Sequence, residues 1–177
     1  MTAYVALLRG VNVGGRTVPM AELRRTFDDL GLTQVQTYIQ SGNVVFRSPR
    51  GAAKVAAEIE SRLRRDFGTE IRVLVRTGDQ LQNLVRRNPL VRGSRDESKL
   101  HVTFLAEVPA SARGASLDGA SFLPDEFRLL GREVYLHCPN GYGKTKINNA
   151  FFERTLGVAA TTRNWKTVTT LATMSAG

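Results

Sequence analysis

The chain has 177 residues, 42% of them hydrophobic, and carries 25 Lys/Arg against 16 Asp/Glu for a formal charge of +9 at pH 7. That length allows one ordinary domain or two small ones, and the apolar fraction excludes a chain too polar to fold. The single cysteine, Cys138, excludes an intramolecular disulfide and a multi-cysteine metal site, and nothing in the sequence reads as a signal segment or as a membrane span of about 18 apolar residues. A cytoplasmic protein is the expectation.

The unbroken apolar run Tyr4–Leu8 predicts a central strand covered on both faces. It ends in Arg9-Gly10-Val11-Asn12-Val13-Gly14-Gly15, a loop whose glycines permit positive φ and close approach of backbone N–H groups to a ligand. Pro19 opens a helix with Met20, Leu23, Phe27 and Leu30 on one face and Gly31 as its stop. Val35, Thr37 and Ile39 alternate as a strand, and Gln40-Ser41-Gly42-Asn43 turns into a partner strand, Val44–Phe46. A second helix follows with Val55, Ile59, Leu63 and Phe67 at four-residue spacing, closed by Gly68, and then a strand with Ile71, Val73 and Val75.

Strand, helix, strand, strand, helix, strand is the ferredoxin-like pattern. It places the end of the first strand beside the hairpin between the second and third. Arg9, Asn12, Gln40, Ser41 and Asn43 are therefore expected on one polar rim, and Gly10 and Gly14 are expected to hold backbone that a side chain would disturb.

Residues 77–177 are expected to form a second α+β lobe, a possible degenerate repeat packed closely on the ferredoxin-like lobe of residues 1–76. The doubly apolar first strand motivates that packing, because a lone sheet of this type leaves one face wet. Thr77 and Gln80 form a capping box for a helix through Leu81, Leu84 and Val85 that ends at Asn88-Pro89. Leu100, Val102 and Phe104 alternate as a strand, residues 109–119 are ambiguous, and 127–130 with 134–137 form a hairpin about Gly131-Arg132. Ile147, Phe151, Thr155 and Leu156 predict a helix stopped by Gly157, and Asn164 caps a last helix with Trp165, Val168 and Leu171 inward.

Residues 47–95 hold twelve Lys/Arg against five Asp/Glu, an excess of seven, which points to polyanionic partners. Cys138 to Thr145 ends in Gly-Lys-Thr between a strand and a helix. A P-loop needs Gly where Cys138 stands, and Pro139 removes a backbone donor. An anion-binding turn with Lys144 and Lys146 is the better reading than ATP or GTP hydrolysis. In Thr161-Thr162-Arg163-Asn164-Trp165-Lys166, Arg163 and Asn164 are candidates for a ligand, while Trp165 reads as core. Cys138, His101 and His137 lack an orienting acid at any recognisable spacing and read as a buried thiol and satisfied strand histidines. No residue pattern calls for a cofactor or metal.

The segments Leu7–Gly15, Met20–Leu23, Thr37–Val44 and Ala160–Val168 resemble the DUF1697 family of small bacterial proteins, and the likeness spans essentially the whole chain. The resemblance implies a compact α+β fold with a ferredoxin-like N-terminal part and assigns no activity. Lys144 matches the family's second glycine loop, whereas Tyr142 and Gly143 stand where the family carries Arg and Ser. The sequence thus describes a binding protein for a phosphate-bearing ligand, nucleic acid or nucleotide, with Arg9, Asn12, Gln40, Ser41, Asn43, Lys144, Arg163 and Asn164 as candidates. The alternatives are a metal-independent enzyme and a protein-interaction module. Oligomeric state is not written in the chain.

Overall fold

A computed structural model describes residues 1–12, 17–39, 42–93 and 95–177. Met1–Val85 together with Thr170–Gly177 make one compact unit, and Arg86–Thr169 make another.

In the first unit β1 (Thr2–Leu8), α1 (Met20–Asp29), β2 (Thr33–Tyr38), β3 (Asn43–Ser48), α2 (Ala52–Phe67) and β4 (Val73–Thr77) follow in order, and the sheet runs β2-β3-β1-β4 with every neighbour antiparallel. This is the ferredoxin-like arrangement expected from the sequence. Tyr4, Ala6 and Leu8 of β1 join Leu23 and Phe27 of α1 and Val55, Ile59 and Leu63 of α2 in one core. Val5 and Leu7, on the opposite face of β1, are buried as completely. A run with no polar alternation follows from that double burial.

Helix ends obey local chemistry. Pro19 sits before α1, where a missing N–H costs nothing, and Gly68 closes α2 at φ 66, in the left-handed region glycine enters freely. Strand bounds differ from the pattern at two places. Ile39 has φ 47 and is half exposed, so alternation overran the end of β2, and Ile71 is buried but precedes β4.

Thr77 and Gln80 exchange hydrogen bonds at 2.9 and 3.1 Å and open α3 (Gly78–Arg87) as the capping box requires. Then come β5 (Leu100–Leu105), α4 (Ser111–Ala115), β6 (Glu126–Leu130), β7 (Glu133–His137), α5 (Asn149–Leu156), β8 (Ala160–Asn164) and α6 (Trp165–Met174). The second sheet runs β6-β7-β5-β8, again all antiparallel, so the strand order of the first sheet recurs. Its core gathers Phe127, Val134, Leu136, Cys138, Ile147, Phe152 and Leu156. The ambiguous segment resolves into α4 and a 3-10 turn at Gly119–Phe122. β8 was not expected; the polar run around Arg163 is a strand.

Candidate functional site

The end of β1 and the β2–β3 hairpin meet at one edge. Leu7 and Tyr38 both pair with Asn43, and the Leu8 N–H donates to the Gly42 carbonyl over 2.8 Å. Gly42 holds φ 80, and a Cβ there would overlap Val11 Cγ2, so only glycine fits the junction. Gly10 has φ 70. Asn12, at φ 56, clips its own loop: its Nδ2 donates to the Val18 carbonyl at 3.3 Å and its Oδ1 accepts from the Val18 N–H at 2.8 Å. Asn43 is buried and its Nδ2 donates to the Tyr38 carbonyl at 3.1 Å. Arg9 is half-buried, with its backbone N–H donating to the Arg72 carbonyl at 2.9 Å. Gln40, Ser41 and Gly14 lie outside the described residues.

In the second unit Arg163 lies buried on β8, where its guanidinium donates to Thr161 Oγ1 at 2.7 Å and to the Thr162 carbonyl at 3.0 Å. Burial lowers its pKa to about 10, which still leaves it charged near neutrality. Asn164 Oδ1 accepts the Thr167 N–H at 2.8 Å and caps α6, and Trp165 is buried.

Lys144 belongs to a different setting. From Cys138 the chain makes a tight turn, in which the Gly141 N–H donates to the Cys138 carbonyl, the Lys144 N–H to Gly141 and the Thr145 N–H to Tyr142. Those three donors are consumed inside the loop and are not offered to a ligand. Gly141 makes the turn possible at φ 92. Tyr142 stacks on His101 with ring centroids 4.8 Å apart. The Thr145 hydroxyl donates to Asp125 Oδ2 at 2.6 Å and accepts from the Ile147 N–H at 3.2 Å.

A cleft of 430 Å³ is lined by two stretches of chain, Asn140, Gly141, Lys144 and Lys146 from this loop and its exit and Ser121 to Asp125 from the segment before β6. The size falls within the range of roughly 300–1,000 Å³ usual for small-molecule sites. Phe122 is braced edge-on by Phe127 and Phe151, at 6.3 and 4.9 Å between centroids, while Leu123 is 68% exposed. Among the described residues neither Lys144 nor Lys146 forms an ion pair. Two ammonium groups against the Asp125 carboxylate leave the cleft with a net positive charge. Sequence reasoning found Lys144 from its Gly-Lys context but missed Asp125 and Phe122, which the β6–β7 hairpin separates from it along the chain.

The arginines of residues 47–95 are differently placed. Arg62 donates to both Asp29 and Asp66, Arg50 to Glu58 and Arg64 to Glu70, and Arg72 approaches Glu60. Arg62 and Asp66 line a second groove, of 310 Å³, with Thr26 and Phe67. The Thr26 hydroxyl, ahead of Arg62, holds the Asp66 carboxyl below its ordinary range. The partners Glu58, Glu60, Asp66 and Glu70 are acids that the excess of seven already subtracts, so these pairs leave that excess standing except where Arg62 also reaches Asp29.

Among the described residues no group of three His, Cys, Asp or Glu is placed to hold a metal ion, and no helix is long and apolar enough to cross a membrane. The chain is similar to the conserved bacterial protein SP0830 from Streptococcus pneumoniae, whose solved structure matches with a TM-score of 0.79 at 26% identity over 99% of this chain and 98% of that one. No curated protein matches. Residues 1–135 match the family model described as a protein of unknown function, DUF1697, and by that match over most of its length the chain belongs to the DUF1697 family.

Proposed function

We propose that this protein binds a phosphate-bearing small molecule in the cleft between the Cys138–Thr145 loop and the Phe122–Asp125 segment. The observation that carries the reading is the pair Lys144 and Lys146, two ammonium groups without ion-pair partners among the described residues, in a cleft that also carries the apolar run Phe122, Leu123 and Pro124. An unpaired cation at a concave surface strengthens its attraction for an anion, because the low-dielectric wall focuses the field. A ligand with a phosphate at one end and a flat apolar body at the other uses the lysines and the apolar run together, and a nucleotide has that form. A cytoplasmic setting supplies such ligands.

A nucleic-acid polymer draws less support. Its affinity comes from many cations spread along a surface, and Arg50 and Arg62, two of the cations of residues 47–95, are part-buried and held by carboxylates.

The test is calorimetric titration of the full chain with inorganic phosphate, nucleoside monophosphates and a single-stranded RNA at two salt concentrations, beside a Lys144→Ala/Lys146→Ala variant. Saturable binding that weakens by roughly tenfold or more in the variant, about 1.4 kcal/mol, is the expected result. Nucleotide binding unchanged in a folded variant would place the site elsewhere, and binding of single-stranded RNA with free nucleotides inert would return the protein to the polymer class.

A further inference from the structure

We infer that Asp125 makes this cleft selective for a guanine nucleotide, its carboxylate accepting N–H donors from the base edge while Lys144 and Lys146 take the phosphate. The inference rests on the reading of the cleft as a phosphate site and adds the identity of the group that the phosphate carries.

Phosphate recognition itself makes no use of a carboxylate, and the tie to the Thr145 hydroxyl occupies only part of this one. Asp125 lines the same cleft as the two lysines, and its charge repels any purely anionic ligand there. Its place is maintained by the Thr145 hydroxyl at 2.6 Å, so the carboxylate is a fixed part of the wall. Thr145 takes one lone pair of Oδ2. An ionised carboxylate offers about four such positions, so both oxygens can still accept. The wall is thus asymmetric, with donors from the lysines and Asn140, and acceptors from Asp125.

The apolar ledge sets what those acceptors meet. Phe122, Leu123 and Pro124 run directly into Asp125, with Phe122 braced on the core and Leu123 open to solvent. A flat ring resting on this ledge brings its edge to the carboxylate that follows it. Two carboxylate oxygens pair best with two donors on neighbouring atoms. Guanine offers its ring N1–H beside its exocyclic amino group with no acceptor between them. Adenine and cytosine set one amino group beside a ring nitrogen whose lone pair repels a carboxylate, and uracil flanks a single N–H with two carbonyls. The ribose hydroxyls are a second source of donors, and the ligand series below separates them from the base.

The experiment titrates the full chain with guanosine, inosine and adenosine monophosphates, ribose 5-phosphate and inorganic phosphate, and repeats the series on Asp125→Asn and on Lys144→Ala/Lys146→Ala. The wild-type comparison needs no variant to fold: the guanine nucleotide is expected to bind roughly tenfold or more tighter than the inosine nucleotide, which lacks only the amino group, and than the adenine nucleotide. In Asp125→Asn that ratio is expected to fall towards one while adenosine monophosphate binds as well or better. Equal affinities for all the nucleotides, each weakened by the lysine substitutions, overturn the guanine inference and leave the phosphate reading standing. A guanine preference that Asp125→Asn abolishes but the lysine substitutions leave intact does the reverse. Ribose 5-phosphate binding as tightly as the guanine nucleotide assigns Asp125 to the sugar and overturns the inference.

Discussion

The Thr145 hydroxyl reaches Asp125 Oδ2 over 2.6 Å and so ties together the two stretches of chain that line the cleft, one carrying Lys144 and Lys146 and the other Phe122 to Pro124. Thr145 is nearly buried and also takes the Ile147 N–H. Thr145→Val keeps the volume and removes both bonds. Loss of a buried bond to a charged group predicts destabilisation of about 1–3 kcal/mol in urea denaturation, with Thr145→Ser closer to wild type because it retains the hydroxyl. A Thr145→Val protein as stable as wild type would show that the tie contributes nothing to the fold.

Gly78 at the start of α3 packs against the last turn of α6. A Cβ on Gly78 would overlap the Ser175 carbonyl oxygen, a backbone atom that cannot swing aside, and the Ser175 hydroxyl in turn donates to the Leu171 carbonyl at 2.7 Å. Gly78→Ala is expected to cost about 1–3 kcal/mol through overpacking. Its φ is ordinary for any residue, so the cost is steric and not conformational. Relief of the loss on removing residues 175–177 from the variant, measured against the same truncation of wild type, would identify the clash as its source.

The sequence made most of the first unit readable because burial wrote regular spacing into it. Val55, Ile59 and Leu63 recur every four residues since one face of α2 is buried, and Tyr4–Leu8 has no polar interruption since both faces of β1 are. β8 was hidden for the opposite reason. Thr161 and Arg163 are buried polar residues that satisfy one another, and Thr162 shares a 2.8 Å hydrogen bond with Thr103, so a core-facing strand carries no apolar alternation. The cleft was half legible. Lys144 sits in a glycine-rich signature, but Asp125 and Phe122 carry no local pattern and reach it only through the return of the β6–β7 hairpin.

Cys138, the first residue of the loop that carries Lys144, is fully buried, and burial pushes its thiol up to about 11. Only the thiolate attacks an alkylating reagent. Native protein at about pH 8 is therefore expected to resist iodoacetamide, with labelling appearing along the denaturation curve as the fold opens. Rapid labelling of fully native protein, followed by mass spectrometry, would mean that this segment opens without global unfolding.

The imidazoles set the acid side of stability. The chain has two histidines, His101 and His137, and burial, the largest influence on each, lowers both below the ordinary 6.5. The Lys99 carbonyl partly offsets this for His101; around His137 Arg95 adds to the lowering, while Glu126, Asp125 and Asp96 oppose it. Above 6.5 the folded and unfolded chains are both neutral at these sites and no proton-linked difference exists. As the pH falls through 6.5 the unfolded chain takes up protons that the folded chain refuses, so stability declines. Asp66, Asp96 and Asp118 are held below their ordinary 3.8, so their contribution is lost only in more acidic solution. The window from about pH 7 to pH 5 therefore belongs to the histidines. Urea denaturation across it is expected to show falling stability in wild type, a shallower slope in His101→Phe, which keeps a ring against Tyr142, and almost none in His101→Phe/His137→Phe. An undiminished slope in the double variant would assign the acid sensitivity to carboxylates instead.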